Sequence, residues 1–265
     1  MTQAIDVVFP SSADEAVSLF GDGAGVTVIA GGTIVLPELT YGKVAPSKAL
    51  MLARAGLDTL DVDATTITLG AGLPLDRLAS LAGEVAALAQ CALNVADYEV
   101  RRQGTLGGNL CARAGVDAPR GDLQGPLLAL DATARSVGRD GETSEPLEAF
   151  LAHRGGRLLL DVRFEKPAGS AFAAIDYPHT HSYTVLAVTG VRGVDGETRL
   201  AATGLAGPGA RLRSAEAAAG DPDKAAVAAL DDVTFADDAL ASAWYRQRTL
   251  PTLVRTVLAE LEEGP

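Results

Sequence analysis

The chain has 265 residues, 48% hydrophobic but only 5% aromatic, with two cysteines and three histidines. Its 22 basic and 34 acidic residues leave a net charge of −12, which argues against the clustered positive surface of a nucleic-acid binder. Two cysteines are too few for a disulfide scaffold or a cysteine-ligated metal site, no apolar run reaches the roughly 18 residues of a membrane span, and residues 1–10 lack a signal peptide's basic start and apolar core, so a cytoplasmic protein is expected.

Residues 4–10, AIDVVFP, predict a strand that ends at Pro10. The following SSADEAVSLF predicts a helix: Ser11 or Ser12 can cap it, acids fill its first turn, and Ala16, Leu19 and Phe20 share a face. VTVIA (26–30) is β-branched and reads as a buried strand running straight into Gly-Gly-Thr. TTITLGAG (65–72) alternates as a strand until glycine breaks it. In PLDRLASLAGEVAALAQCA (74–92), Leu75, Leu78, Leu81, Val85 and Leu88 give helical spacing behind Pro74. QGPLLALDATARSVG (124–138) and GRLLLDVRFEKP (156–167) each predict a strand, and a Pro/Gly-rich break follows at 167–170. SYTVLAVTGV and TRLAATGLAG read as strands joined around Asp-Gly-Glu. Helical segments near 215–219 and 240–261 close the chain, giving an α+β order with a separate strand-pair-plus-helices unit at the end.

Two glycine clusters carry the functional signal: VIAGGT (28–33) and RRQGTLGGN (101–109). Glycine loses the most backbone entropy on folding, so such clusters need a cause. Backbone N–H groups converging after a strand make an anion nest suited to a pyrophosphate, with Thr33, Thr105 and Asn109 as added donors. No G-x-G-x-x-G opens a helix and no G-K-[ST] is present. Taken singly, each cluster reads more readily as a plain tight turn.

Together the clusters support more. IAGGT (29–33), VRRQGTLGGN (100–109) and DLQGPLLALDA (122–132), in this order and spacing, resemble the FAD-binding medium subunit of the molybdenum hydroxylases, the family of carbon monoxide dehydrogenase and xanthine dehydrogenase. ITLGAGLPLDRL and the tail YRQRTLPTLVRTVLAEL extend the likeness over nearly the whole chain. The resemblance implies a two-lobed, vanillyl-alcohol-oxidase-type FAD-binding domain over 1–167, with lobes of about 1–53 and 54–167, and a smaller α+β domain over 168–265. It implies that Ile29, Ala30, Gly31, Gly32, Thr33 and Ile34 wrap the FAD pyrophosphate and that Gly104, Thr105, Gly107, Gly108 and Asn109 hold it from the other side. Asp122 matches a carboxylate on the cofactor's polar chain, and Leu158 and Leu159 match apolar residues near the isoalloxazine. It further implies electron transfer from iron–sulfur clusters to FAD and on to NAD or a quinone. The clusters and the molybdopterin would sit on a small and a large partner subunit in a heterotrimer, usually found in the family as a dimer of trimers.

The likeness departs in two places, of which the lesser is Arg120 in VDAPRGD, where small residues are common before Asp122. The family's F-x-K-x-x-R-x-x-x-D pattern is replaced by AFAAIDYPHTHSYTV, with Ala173 at the Lys and Ser182 near the carboxylate. His181 and Tyr183 are candidates to supply polar contacts at the flavin ring, although ordinary residues at a strand start would look the same. Cys111 reads as a small buried hydrophobe more readily than as a reactive thiol, and Cys91 as core. At least one of Arg101 and Arg102 is expected to be structural. Asp231, Asp232, Asp237 and Asp238 read as a solvated charge run, and Trp244 and Tyr245 as packing for the last helix. A stand-alone flavoprotein with altered chemistry and a flavin-free assembly module remain as alternatives to an electron-transfer subunit.

Overall fold

The computed structural model describes residues 5–112, 121–177 and 183–263. It begins with strand β1 (Asp6–Val8), helix α1 (Ala13–Phe20), β2 (Val26–Ile29), α2 (Val35–Thr40) and β3 (Lys48–Met51). The three strands form a parallel sheet in the order β1-β3-β2. Local chemistry fixes the start of α1: Ser12 Oγ accepts the Glu15 N–H at 3.1 Å, and the Ser11 hydroxyl donates back to the Glu15 carboxylate at 2.6 Å. Ala16 and Phe20 then pack with Leu50, Leu52, Leu158 and Leu160 in a first core.

The middle of the chain runs β4 (Leu60–Val62), β5 (Thr66–Gly70), a 3₁₀ segment (Leu75–Leu81), α3 (Ala86–Asn94), α4 (Tyr98–Gln103), α5 (Leu106–Cys111) and α6 (Gln124–Ala129). β6 (Thr133–Gly138), β7 (Gly141–Pro146), α7 (Leu147–His153) and β8 (Leu158–Glu165) follow. These strands make a five-stranded antiparallel sheet, β4-β5-β8-β6-β7. Two expectations are corrected here. The single helix expected over 74–92 is a 3₁₀ segment followed by α3: Leu75, Leu78 and Leu81 repeat at i, i+3, i+6, a stripe that eclipses on a three-residue turn. The strand expected over 124–138 is α6 and then β6. All of α6 is buried, and a run buried on every side carries no periodicity to tell helix from strand.

The last sheet is antiparallel, β12-β11-β10-β9, from β9 (Gly169–Tyr177), β10 (Tyr183–Arg192), β11 (Thr198–Thr203) and β12 (Ala210–Arg211). Helices α8 (Arg213–Ala217), α9 (Pro222–Ala228) and α10 (Ala243–Glu263) cover one face. α3 and α6 lie against the other, where Phe172, Val191 and Ala201 join the central core. Burial on both faces explains why β10 is apolar along most of its length instead of alternating. The approach is close: a Cβ on Gly190 would lie 2.4 Å from Val257 of α10.

The acidic run is only in part a solvated face: Asp231 and Asp237 are exposed, but three of the four carboxylates also have structural partners. Asp232 accepts the Ser214 N–H at 2.9 Å at the start of α8, Asp237 accepts the Ala243 N–H at 2.6 Å at the start of α10, and Asp238 pairs with Arg246 at 2.7 Å. Trp244 does not pack the last helix. It is 64% exposed, with the Arg248 guanidinium over its ring.

Candidate functional site

The two glycine loops meet. The first leaves β2 and enters α2. The second joins α4 to α5 and is tied to the end of β5, where Leu106 donates to Leu73 O at 2.9 Å and Gly107 to Ala71 O at 2.8 Å. Most of these glycines are required by protein, not ligand. A Cβ on Gly31 would sit 1.8 Å from Gln103 O, and one on Gly107 would sit 2.9 Å from both Ala71 Cβ and its carbonyl oxygen. Gly104 would press on Val100 O at 2.9 Å, and Gly32 has φ +74°. Gly108 differs. Its Cβ would meet only the Thr105 hydroxyl, at 3.0 Å, and it lines open space.

Two cavities share Ile34, Val35, Glu38 and Gly108 as a common wall. The larger, about 460 Å³, continues along Gly31, Thr33, Thr105, Asn109 and Asp122 to Tyr183 and Thr184. The smaller, about 310 Å³, is apolar: Val28, Ala30, Leu52, Ala71, Cys111, Leu158 and Leu159, with Arg157 among its walls. Thr105 caps α5 by accepting the Gly108 N–H at 3.1 Å, so that amide is already satisfied. Among the described residues no backbone hydrogen bond is made by the N–H groups of Gly31, Gly32 and Thr33, and all three residues line the larger cavity.

Asp122 sits at the polar end of the larger cavity. Asn109 Nδ2 donates to its carboxylate at 3.2 Å, Thr184 supplies a second hydrogen bond, and Asn109 Oδ1 accepts the Leu123 N–H at 2.9 Å. Burial pushes its carboxyl above the ordinary range, the two donors oppose that shift, and the charge of Asp176 adds to it. Asn94, at the end of α3, donates to Asp176 at 2.7 Å and to Thr184 at 3.2 Å. The cysteines are inert: burial pushes the Cys111 thiol up to about 11 against the opposing charge of Arg154, and Cys91 is raised by burial, Asp122 and Asp176 in that order.

The structure therefore brings Gly31 to Ile34 together with Gly104, Thr105, Gly108, Asn109 and Asp122, as the motifs imply. Ile29 is buried in β2 beneath them, and Gly107 lines the smaller cavity with Ala30. The residues assigned to the flavin ring are divided, since Leu158 and Leu159 line one cavity and Tyr183 the other. Ala173 lines neither. It packs toward α10, and strand alternation puts Ala174 on the face of Phe172 instead. Arg120, His181 and Ser182 lie outside the described residues. Arg101 is structural, donating to Val95 O at 2.9 Å and Ala96 O at 2.8 Å, and Arg102 stacks over Tyr98. Sequence reasoning missed Glu38, Tyr41, Lys43, Val95, Ala96 and Thr184. Only Ala96 stands out by its backbone, at φ +46°, and no residue pattern announces that.

Backbone N–H groups at a glycine loop, a glycine with open space above it, and two adjacent, mainly apolar cavities with a few polar groups suit a dinucleotide cofactor. The combined volume lies within the usual range for cofactor sites, about 300–1,000 Å³. The chain belongs to the family described as FAD binding domain in molybdopterin dehydrogenase, whose model matches residues 3–164; it is an oxidoreductase polypeptide and its cofactor is FAD. A relative, 6-hydroxypseudooxynicotine dehydrogenase complex subunit alpha from Paenarthrobacter nicotinovorans, is 27% identical, covering 97% of this chain and 94% of its own. The fold of this chain is shared with carbon monoxide dehydrogenase from Hydrogenophaga pseudoflava (TM-score 0.85, 24% identity, 98% of this chain and 97% of that one). The same holds for reconstituted CO dehydrogenase from Oligotropha carboxidovorans (TM-score 0.86, 22% identity, all of both chains). Among the described residues no helix is long and apolar enough to cross a membrane.

Proposed function

We propose that this chain is the FAD-binding electron-transfer subunit of a molybdenum-containing hydroxylase or dehydrogenase. It receives electrons from iron–sulfur clusters on a partner and passes them to an external acceptor. The observation that carries the reading is the junction of the two cavities at Gly108, beside Gly31, Gly32 and Thr33, whose N–H groups make no backbone hydrogen bond among the described residues. A pyrophosphate laid there meets backbone donors and no added Cβ, which suits a dianion even in a chain of net charge −12. Relatives and shared fold support membership of a multi-subunit complex, since one relative is named as a complex subunit.

The polar side chains at the far end of the larger cavity support one direction for the cofactor. The larger cavity, ending in Asp122, Tyr183 and Thr184, takes the isoalloxazine, whose pyrimidine edge needs hydrogen-bond partners. The smaller, apolar cavity takes the adenine, so Leu158 and Leu159 serve that end and not the ring. FAD, when bound, supplies one- and two-electron redox chemistry. The chain's residues bind and orient it: Thr33, Thr105 and Gly108 at the phosphates, Asn109 holding Asp122, and Asp122 presenting an acceptor at the ring end. We also assign 1–53 and 54–167 as the two lobes of the FAD-binding domain and 168–265 as the C-terminal domain. The first two sheets and the third fall into these spans, with α3 and α6 packed across the last boundary.

The test is isolation from the native host. This chain should co-purify with a small cysteine-rich protein and a large one, with iron and molybdenum present. Recovery of a flavin-loaded monomer or homodimer with full reductase activity would instead identify a stand-alone flavoprotein.

A further inference from the structure

Strand β10 is bulged where it reaches the cleft. Its pairing with β9 is regular from Arg192 back to Leu186 and then shifts, so that Thr184 pairs with Asp176 and Val185 is the extra residue. Leu186 and Val188 face α10, and unbroken alternation would turn Thr184 the same way. The bulge reverses this: Val185 and Leu186, adjacent in sequence, both enter the α10 core, and Thr184 faces Asn94 and Asp122. Asn94 Nδ2 donates into the Thr184 hydroxyl oxygen at 3.2 Å, which leaves the hydroxyl proton for the Asp122 carboxylate.

The extra residue's carbonyl is held from α10. Arg246, only 1% exposed, donates from Nε to Val185 O at 3.0 Å. Its other nitrogens donate to Ala236 O at 2.8 Å, Ala241 O at 3.0 Å and the Asp238 carboxylate at 2.7 Å. Gly204 lies against the same carbonyl, where a Cβ would come within 2.2 Å of it. A buried arginine carries a high desolvation cost, and four satisfied acceptors account for its being tolerated. Stability alone would be served as well by apolar packing.

We propose that Arg246 is a positioning residue for the flavin site: by pinning the Val185 carbonyl it fixes the bulge that aims Thr184 at Asp122. This rests on the assignment of the larger cavity to the isoalloxazine. The path runs from the C-terminal helix, through the bulge and one hydroxyl, to the carboxylate at the ring.

The experiment uses the full chain, FAD as the probe, flavin-fluorescence quenching for affinity, a dye-coupled redox titration for midpoint potential, and thermal unfolding of the FAD-free protein. Thr184→Val should weaken FAD about tenfold, the worth of one hydrogen bond to a charged group, and shift the potential, and Thr184→Ser should restore both. Arg246→Lys keeps the charge but loses the planar fork. It should weaken FAD and shift the potential in the same direction, and the double variant should match Thr184→Val alone. Gly204→Ala, which pushes the same carbonyl, serves where Arg246→Lys does not fold and should give the same shift. Arg246→Lys or Gly204→Ala with a lowered unfolding temperature but parental affinity and potential would overturn the proposal, as would losses that multiply in the double variant. A parent chain that fails to take up FAD at all would instead overturn the flavin reading itself.

Discussion

Two glycines one loop apart have opposite jobs. Gly31 is fixed by the protein: a methyl group there strikes Gln103 O at 1.8 Å, so Gly31→Ala should force the loops apart and unfold at lower denaturant. Gly108 is not fixed by the protein in that way, because only the Thr105 hydroxyl stands near its Cβ direction, and in the proposed reading the constraint there is the cofactor. Ala96, at φ +46°, holds a left-handed backbone that costs a non-glycine residue about 1 kcal/mol, so Ala96→Gly should stabilise the chain by about that amount in urea unfolding. Asp122 makes a pH prediction of unusual sign. Burial raises its folded-state carboxyl above the ordinary 3.8, so between those values the folded chain binds more protons than the unfolded one. Stability of the FAD-free protein should therefore fall as pH rises through the window above 3.8, and Asp122→Asn should flatten that slope in denaturant midpoints measured across it.

At the scale of elements, what was legible followed from local chemistry. α1 was readable because Ser12 and Glu15 cap it within one turn. The 3₁₀ segment was not, because Leu75, Leu78 and Leu81 satisfy both a three-residue turn and an α-helical face. β9 escaped notice because AFAAIDY is poor in β-branched residues and is held by pairing with β10, which no window of its own sequence contains. The glycine loops announced themselves as a cluster, but the reason for Gly31 lies at Gln103, far along the chain. The acidic run misled for the same cause, since Asp238 has its meaning only once α10 brings Arg246 beside it. That pair gives an element-scale test. Asp238→Ala leaves a guanidinium buried without its carboxylate and removes acceptors for the Leu240 and Ala241 N–H groups. The loss should be about 3 kcal/mol or more in chemical denaturation, while replacement of the exposed Trp244 should cost little.

For the molecule as a whole, the third sheet is the hinge between chemistry and architecture. One face packs on α10, the other on α3 and α6, and the bulged start of β10 brings Tyr183 and Thr184 to the cavity that the two glycine loops also line. Among the described residues the two cysteines, Cys91 and Cys111, are free. All of this depends on the cavity junction being the pyrophosphate site. The most direct measurement is an equilibrium titration of FAD into the FAD-free chain and its Gly108→Val variant, with thermal unfolding of each. One FAD per parent chain is expected and, in the variant, binding lost at least about a hundredfold with the fold retained, because a branched side chain would occupy the junction while touching little else. Full FAD binding by a folded Gly108→Val chain would contradict this.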